Sequence, residues 1–366
     1  MQFRLPIEDC KKKTCISNYF GDDLDLDKVY SVLFKPQTIL GEQIIQKWNK
    51  FYTSDVSYLK DSQKIQKKLD KIKVNKTVIE DFYTDFNNIK EDKQFLENYQ
   101  YFDLKYLKSM NKNVIFTSIL SFYNITSPLF NLALPILVLI LPYFILKLAK
   151  FPINFDIYKK IIFAQLKNHV LGRLIYNFKN VGWNKRVYYL LSFGLYVYNI
   201  YHNCCLCYKF YYNRYKIDKY FENSKKYLKH ILQNMKLYNK RIEKYKTYKK
   251  FHMRNEEVLI ILQKFYDNIK NQKYIGRKMQ NFYILYDDQE LDLAIKYSFS
   301  FMGYLDTLQG LQGNIRDQNI VKVNISNKTK PFIKFKNVLY PPLVADKNVV
   351  KNDITLGNNK IITGPN

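Results

Sequence analysis

The last nine residues, NNKIITGPN, carry the pattern that comes nearest to a chemical site. A short apolar strand at Ile361-Ile362 runs into the turn Thr363–Asn366. A strand followed by a glycine-containing turn is how a phosphate-binding loop of the form G-x-x-x-x-G-K-[ST] begins. In such a loop the backbone N–H groups hold phosphates, the Lys reaches the outer phosphates, and the Ser/Thr hydroxyl binds Mg²⁺. Taken alone, a terminal Gly-Pro-Asn also fits an ordinary β-turn.

Other reactive residues form no convincing catalytic or metal pattern. No Ser/His/Asp or Cys/His arrangement is recognisable around the four histidines, which are His169, His202, His230 and His252. The acid pairs Asp22-Asp23 and Asp287-Asp288 are typical of solvated loops and helix caps. The five cysteines are Cys10, Cys15, Cys204, Cys205 and Cys207. The last three lack the second ligand pair that a zinc site requires, so reduced thiols are expected and a bound metal is not.

The charge of the chain favours an anionic partner. Lys and Arg total 59 against 32 Asp and Glu, a formal net charge of +27. Nucleic acid, an anionic membrane face and nucleotide phosphates all fit this excess. The over-use of Lys, Asn, Ile and Tyr is also what an A/T-rich coding bias produces, so solvated lysine-rich faces explain part of the charge.

The pattern of residues 33–112 predicts helices. Glycine is scarce, with 11 residues, which favours long helices. A helical pattern runs from Leu33 to about Leu69, with Ile44, Ile45, Trp48 and Phe51 on one face. A second, highly charged pattern covers residues 70–112, with Ile79, Phe82, Phe86 and Ile89 spaced three and four apart.

Two uncharged runs follow. No charged residue lies between Lys112 and Lys147, and the part from Ser127 to Leu146 alone has the length that crosses a bilayer. A second, more aromatic run spans 187–208. The runs predict one or two membrane-inserted segments, and buried core helices are the alternative.

The loop between these runs complicates a two-pass hairpin. Residues 149–186 carry eight Lys/Arg and one acid, so the positive-inside rule would keep them in the cytoplasm. If both ends of the chain are also cytoplasmic, a simple hairpin conflicts with the rule. A re-entrant first segment, broken midway at its prolines, would remove the conflict.

A basic helical region follows the second run. Residues 208–280 hold 20 Lys/Arg against 6 Asp/Glu. A seam with steps of four and three predicts a long helix and favours an antiparallel pair; its members are Ile217, Phe221, Ser224, Leu228, Ile231, Met235, Tyr238, Ile242 and Tyr245. A further helix begins near Leu291 and ends near Gly313. Beyond it, IVKVNIS, PFIKFKNVLY, NDITL and NKIITG alternate with period two and predict short strands.

Three stretches, in the family's order, resemble the MutS family of mismatch-repair ATPases. NDITLGNNKIITGPN is similar to the entry into its nucleotide-binding domain, where I-T-G-P-N opens the Walker A loop. QTILGEQIIQKW is similar to the start of its helical core, with Thr38, Gly41 and Trp48 in the pattern T-x-x-G-x(6)-W. FMGYLDTLQGLQGNI is similar to the helix that returns to the core before the ATPase domain, with Leu305–Leu308 matching L-D-x-L.

The resemblance implies an ATP–Mg²⁺ site whose phosphate loop begins with Thr363, Gly364, Pro365 and Asn366. It places the Walker A lysine and hydroxyl and the Walker B acids beyond Asn366, so the chain is expected to be a fragment that does not hydrolyse ATP. Phe95-Leu96-Glu97 has the letters of the family's mismatch-reading Phe-x-Glu motif. Only 37 residues precede Thr38, too few for the domain that carries that motif, so the match is interpreted as chance.

The expected protein is mostly α, a long helical core and lever with a coiled-coil-like pair, followed by the first strands of a truncated α/β P-loop ATPase domain. Its regions are an N-terminal segment (1–30), the start of a MutS-like core (31–112), an apolar region with candidate transmembrane segments (113–207), basic lever helices returning to the core (208–313) and the start of the ATPase domain (314–366).

The expected function is that of a MutS-like, ATP-dependent DNA-binding protein. In the intact family, ATP closes a dimer of ATPase domains, and here the basic lever would contact duplex phosphates without reading sequence. The expected location is a membrane with the ATPase end in the cytoplasm, or otherwise the cytoplasm. The alternative is a membrane-anchored helical interaction protein with basic surfaces against anionic lipid and no nucleotide chemistry.

Overall fold

The computed structural model describes residues 2–67, 69, 72–150, 155–168, 172–174, 178–325, 333–344 and 349–356. These residues are mostly helical, which confirms the predicted α class. The chain divides into two units: unit 1 contains Met1–Glu91, Tyr220–Asn271 and Leu285–Asn366, and unit 2 contains Asp92–Lys219 and Gln272–Ile284. The chain therefore leaves unit 1 and re-enters it twice.

Among the described residues the helices are α1 (Asn18–Asp23), α2 (Leu26–Phe34), α3 (Ile39–Trp48), α4 (Val56–Gln66), α5 (Lys76–Glu91), α6 (Phe95–Asn98), α7 (Val114–Leu148), α8 (Phe155–Asn168), α9 (Trp183–Ile242), α10 (Lys249–Lys270), α11 (Ile275–Asp287) and α12 (Gln289–Arg316). The strands are β1 (Lys13–Cys15), β2 (Phe51–Thr53), β3 (Ile333–Val338) and β4 (Asn352–Leu356). They form two antiparallel pairs, β1 with β2 and β3 with β4.

Helix α12 is the centre of unit 1. Between Ala294 and Leu308 nearly every side chain is buried, whichever way it points from the helix axis. A helix that is buried all round lies inside a core rather than on its surface. Helices α2, α3 and α10 pack against it. The predicted helix from Leu291 to Gly313 is confirmed and extends to Arg316.

The C-terminal half of α9 and helix α10 form the predicted antiparallel pair. Every residue of the seam from Ile217 to Ile242 is buried, and Tyr245 beyond it is half-buried. Lys236 Nζ donates to Gln263 Oε1 at 2.8 Å, and Asn239 Nδ2 donates to Glu256 Oε1 at 2.6 Å. Partners further along α9 thus meet residues earlier in α10, as an antiparallel arrangement requires.

The helical pattern from Leu33 to Leu69 is interrupted, so the prediction of a continuous run is wrong there. Helix α3 ends at Trp48, and β2 pairs with β1, Phe51 lying opposite Cys15. The sequence Phe-Tyr-Thr favours a strand. Asp55 then starts α4, because its carboxylate accepts hydrogen bonds from the Ser57 and Tyr58 amides. The pattern predicted over 70–112 is not one continuous helix, because α5 ends at Glu91 and α6 covers only Phe95–Asn98. The predicted face of α5 is confirmed, since Ile79, Phe82, Phe86 and Ile89 are all buried.

Two of the four predicted C-terminal strands are present. PFIKFKNVLY contributes β3 and NDITL is β4, with Ile333 opposite Leu356. Residues 321–325 of IVKVNIS are not a strand, and the Val323 carbonyl accepts from Gln63 Nε2 at 2.9 Å rather than from a strand amide. The segment NKIITG lies outside the described residues.

In unit 2 the start of α7 packs near α11. Asn113 caps its start by accepting from the amides of Ile115 and Phe116. Thr117 Oγ1 donates to the Gly276 carbonyl of α11 at 2.8 Å, and Tyr101 Oη donates to the Met279 carbonyl at 2.6 Å. The backbone of α7 is helical from Val114 to Leu148. The re-entrant alternative, which needs a break midway along this segment, is therefore wrong.

Within the residues that the structure describes, no helix combines the length and the apolar character needed to cross a membrane.

Candidate functional site

The predicted phosphate loop cannot be placed. Thr363, Gly364, Pro365 and Asn366 lie outside the described residues, so their assignment to a nucleotide site stays a prediction. The structure does, however, describe the other two stretches that carry the family resemblance, and both lie in unit 1.

Those two stretches meet through one buried carboxylate. Asp306 of α12 is 2% exposed. Its Oδ2 accepts hydrogen bonds from the Gln37 amide at 3.0 Å, the Thr38 amide at 2.9 Å and Thr38 Oγ1 at 2.8 Å. Thr38 Oγ1 also accepts from the Gly41 amide at 3.0 Å and so caps α3. Residues 268 positions apart therefore share one hydrogen-bonded cluster, which we call the core joint.

Three glycines let the helices of the core joint approach closely. A Cβ on Gly41 would overlap the Asp306 carboxylate, and a Cβ on Gly303 would overlap the Leu40 carbonyl. A Cβ on Gly310 would overlap the Phe34 carbonyl in the same way. The backbone of α12 is thus pressed against α2 and α3 at positions where only glycine fits.

Trp48 completes the core joint. Its indole Nε1 donates to Thr307 Oγ1 at 3.4 Å. Its ring stacks on Phe34 and on Tyr304, with centroids 5.4 and 5.9 Å apart. The three residues of the T-x-x-G-x(6)-W pattern therefore all contact α12 within the segment that holds L-D-x-L.

The electrostatics of the core joint suit a structural clamp. Burial raises the pKa of Asp306, and the hydrogen bonds from Thr38 and Gln37 only partly oppose that effect. All three donors come from the start of α3. The Asp306 carboxylate therefore fixes the start of α3 against α12. Helix α12 continues beyond Asp306 and ends at Arg316.

A cationic surface lies at the turn between α9 and α10. Exposed side chains there share a positive charge; they are Lys240, Lys244, Lys246, Lys249 and Lys250. The one carboxylate among residues 240–250 is Glu243. We call these five lysines the hairpin surface. From outside this segment, Asp61 accepts a hydrogen bond from Thr247 Oγ1 at 2.9 Å. Lysines on adjacent turns are suited to contact phosphates without reading bases.

Three other sequence candidates lie among the described residues outside the core joint. Asp288 caps α12 by accepting from the Leu291 amide at 2.9 Å, as expected for a helix cap. Phe95 is fully buried and packs on Phe282 with ring centroids 5.1 Å apart, so it is not available to stack on a base. Cys204 and Cys205 are exposed, and the described residues contain no group of three potential metal ligands.

Sequence reasoning missed the role of Asp306 in the core joint. A signal was present: an acid stands inside FMGYLDTL, an otherwise apolar or neutral stretch, and such an acid needs buried donors. Its partner could not be read, because nothing in the spacing links residue 306 to residue 38.

No family model, curated protein sequence or solved structure matches the chain.

Proposed function

We propose that the chain is the helical core and lever of a MutS-like, ATP-dependent DNA-binding protein. The observation that carries the proposal is the core joint. The resemblance assigns Thr38, Gly41 and Trp48 to the start of a helical core, and Leu305–Leu308 to the helix that returns to it. Direct hydrogen bonds between Thr38 and Asp306 support that assignment, since two stretches that matched the family only by chance would not be expected to contact each other at the matched residues.

The proposed mechanism is mechanical transmission. ATP and Mg²⁺ bind at a phosphate loop that begins at Thr363–Asn366, in a dimer of ATPase domains. A change at that loop is passed through α12 and its clamp on α3 to the paired helices α9 and α10. The hairpin surface then contacts duplex phosphates, which supplies affinity without sequence preference.

A salt titration tests the DNA-binding part. We expect duplex affinity to fall linearly with the logarithm of salt concentration. The variant K249E/K250E should reduce that slope by about two, because each lost phosphate contact accounts for about 0.9. The control is K11E/K12E, which makes the same change of charge at an exposed pair elsewhere in unit 1. Equal effects of the two variants, or no duplex binding, would contradict the proposal.

The coding sequence tests the ATPase part. A Gly-Lys-Ser/Thr within about six codons after Asn366 is expected from the loop pattern. Neither a lysine nor a hydroxyl residue at that distance would remove the nucleotide site from the proposal.

A second candidate function is attachment to an anionic lipid surface through unit 2. Large apolar side chains along the first half of α9 are exposed, including Leu190, Leu191 and Leu195. Exposed aromatic rings follow them, with Tyr208 and Tyr211 beside Lys209. Exposed apolar and aromatic side chains favour contact with acyl chains, and neighbouring cations favour anionic headgroups.

Vesicle flotation tests this second candidate. The wild type should float with phosphatidylserine-containing vesicles, and less with neutral ones. L190D/L191D/L195D should float less with both. Absence of flotation with either vesicle, or an unchanged triple variant, would rule out lipid attachment through this surface.

A further inference from the structure

Unit 1 also contains a cavity lined by cationic side chains, and these residues are distinct from those of the hairpin surface. The cavity, of about 510 Å³, is bounded on one side by the last turns of α12 and by Lys322. On the other side the described lining residues are Gln66, Lys67, Leu69, Ile72 and Lys73. Its lining includes Lys67, Lys73, Arg316 and Lys322, and the described residues that line it include no Asp or Glu. Small-molecule sites occupy about 300–1,000 Å³, so the size fits a compact ligand.

The cavity is held open by hydrogen bonds that do not use its cations. Gln66 Nε2 donates to the Leu308 carbonyl at 2.6 Å. Gln309 donates to the Ile72 carbonyl, and its Oε1 accepts from the Val74 amide at 3.2 Å. These bonds join the two walls, so the lysines are arranged around the cavity before any ligand arrives.

The cations of the cavity are poorly compensated. Within the described residues, Lys67, Lys73 and Lys322 form no ion pair, and Arg316 has only its neighbour Asp317, with Nε 3.8 Å from Oδ1. Burial, and then the positive charge of Lys67, lower the pKa of Lys322. An anion placed between the two lysines would replace this repulsion by attraction.

We infer that the cavity binds a compact, multiply charged phosphate ligand, such as a diphosphate or triphosphate group, through Lys67, Lys73, Arg316 and Lys322. The limited size of the cavity, about 510 Å³, favours a free phosphate compound over the backbone of a duplex, which needs an extended groove or ridge. The inference does not depend on the proposed function, because the predicted phosphate loop and the hairpin surface are formed by other residues.

Calorimetric titration with inorganic triphosphate and pyrophosphate, at low salt, tests the inference. The wild type should bind triphosphate more tightly than pyrophosphate, and sulfate weakly. K67A/K322A should lose about tenfold or more in triphosphate affinity, because hydrogen bonds to charged groups are the strong ones. The matched control K249A/K250A removes two lysines of the hairpin surface and should change that affinity by less than about twofold.

Two further measurements keep the result interpretable. Circular dichroism checks that K67A/K322A is folded, and K67R/K322R should retain most of the affinity because it keeps the charge. Lack of triphosphate binding by the wild type, or equal losses in K67A/K322A and K249A/K250A, would overturn the inference.

Measuring duplex DNA binding by the same variants distinguishes failure of this inference from failure of the proposed function. If K67A/K322A weakens duplex binding while triphosphate does not bind, the lysines serve a nucleic-acid backbone and the inference fails. If triphosphate binds at the cavity while duplex binding is absent, the inference stands and the proposed DNA-binding function fails.

Discussion

The two halves of α9 differ in a way that their composition does not anticipate. The first half, which includes the uncharged run 187–208, leaves Leu191 63% and Leu195 69% exposed. The second half is rich in lysine, yet Leu228, Ile231 and Met235 are fully buried. The difference arises from packing partners: Tyr227 in the second half stacks on Phe82 at 4.8 Å and shares a 2.8 Å hydrogen bond with Ser298.

The contrast shows that helical spacing is more informative than overall hydrophobicity. The second half places its apolar residues at steps of three and four, so a partner helix can cover them all at once. In the first half apolar and aromatic residues surround the helix, and no single partner can cover them. Four predictions test this contrast, beginning with the largest expected effect.

Removing a buried leucine from the second half should destabilise unit 1 strongly. Leu228→Ala is expected to lower the free energy of unfolding by about 2–5 kcal/mol, because it leaves a cavity in a packed core. The matched variant Leu191→Ala, in the exposed half, should change it by less than about 0.5 kcal/mol. Urea unfolding followed by circular dichroism measures both. Comparable losses would show that the first half is packed as tightly as the second.

The hydrogen bonds of the core joint should stabilise unit 1, whereas the exposed first half of α9 has no comparable buried polar cluster among its described residues. Asp306→Ala is expected to cost about 1–3 kcal/mol, since it leaves buried donors without an acceptor. Thr38→Ala should cost about 1 kcal/mol through the lost cap. Because the two side chains share their hydrogen bonds, the double variant should cost less than the sum of the single ones. Additive losses in the urea experiment would contradict the direct coupling, and Asp22→Ala serves as an exposed control.

Cysteine alkylation should report the exposure of the first half of α9. Cys204 is exposed there, whereas Cys10 of unit 1 is half-buried. Burial, together with the nearby charges of Asp55 and Asp9, raises the pKa of Cys10 to about 11. At pH 8 iodoacetamide should therefore modify Cys204 at least about tenfold faster, because the thiolate is the reactive form. Mass spectrometry of the digested protein measures the two rates, and equal rates would mean that Cys204 is covered.

The smallest expected effect is a pH dependence at Asp306. Burial raises the pKa of this carboxyl in the folded protein, so the folded state binds its proton more tightly than the unfolded state does. The stability that protonated Asp306 contributes is complete when the pH is below the pKa of this carboxyl in the unfolded state. It is lost as the pH rises through the higher pKa that the carboxyl has in the folded state. The free energy of unfolding of the wild type should therefore fall over that window more than that of Asp306→Asn. A rise over the same window would contradict the direction of the shift.

The sequence predicted the parts of the fold that follow from local spacing. The seam from Ile217 to Ile242, the buried face of α5 and the strands β3 and β4 were all readable, because each shows its period within a few turns or residues. The strand at Phe51–Thr53 was missed, since three residues are too few to show a period. The core joint and the cavity lined by cations were missed because each joins residues more than 200 positions apart.

By itself the sequence determined a mostly helical, strongly basic chain with a long paired helix, since helix type and burial pattern are set by residues three and four apart. Only the tertiary structure decided that Asp306 holds Thr38, that four cations surround one cavity, and that half of α9 remains uncovered. The reason is that hydrogen bonding, charge clustering and burial depend on which distant segments come into contact. That choice is made by the packing of the whole core around α12.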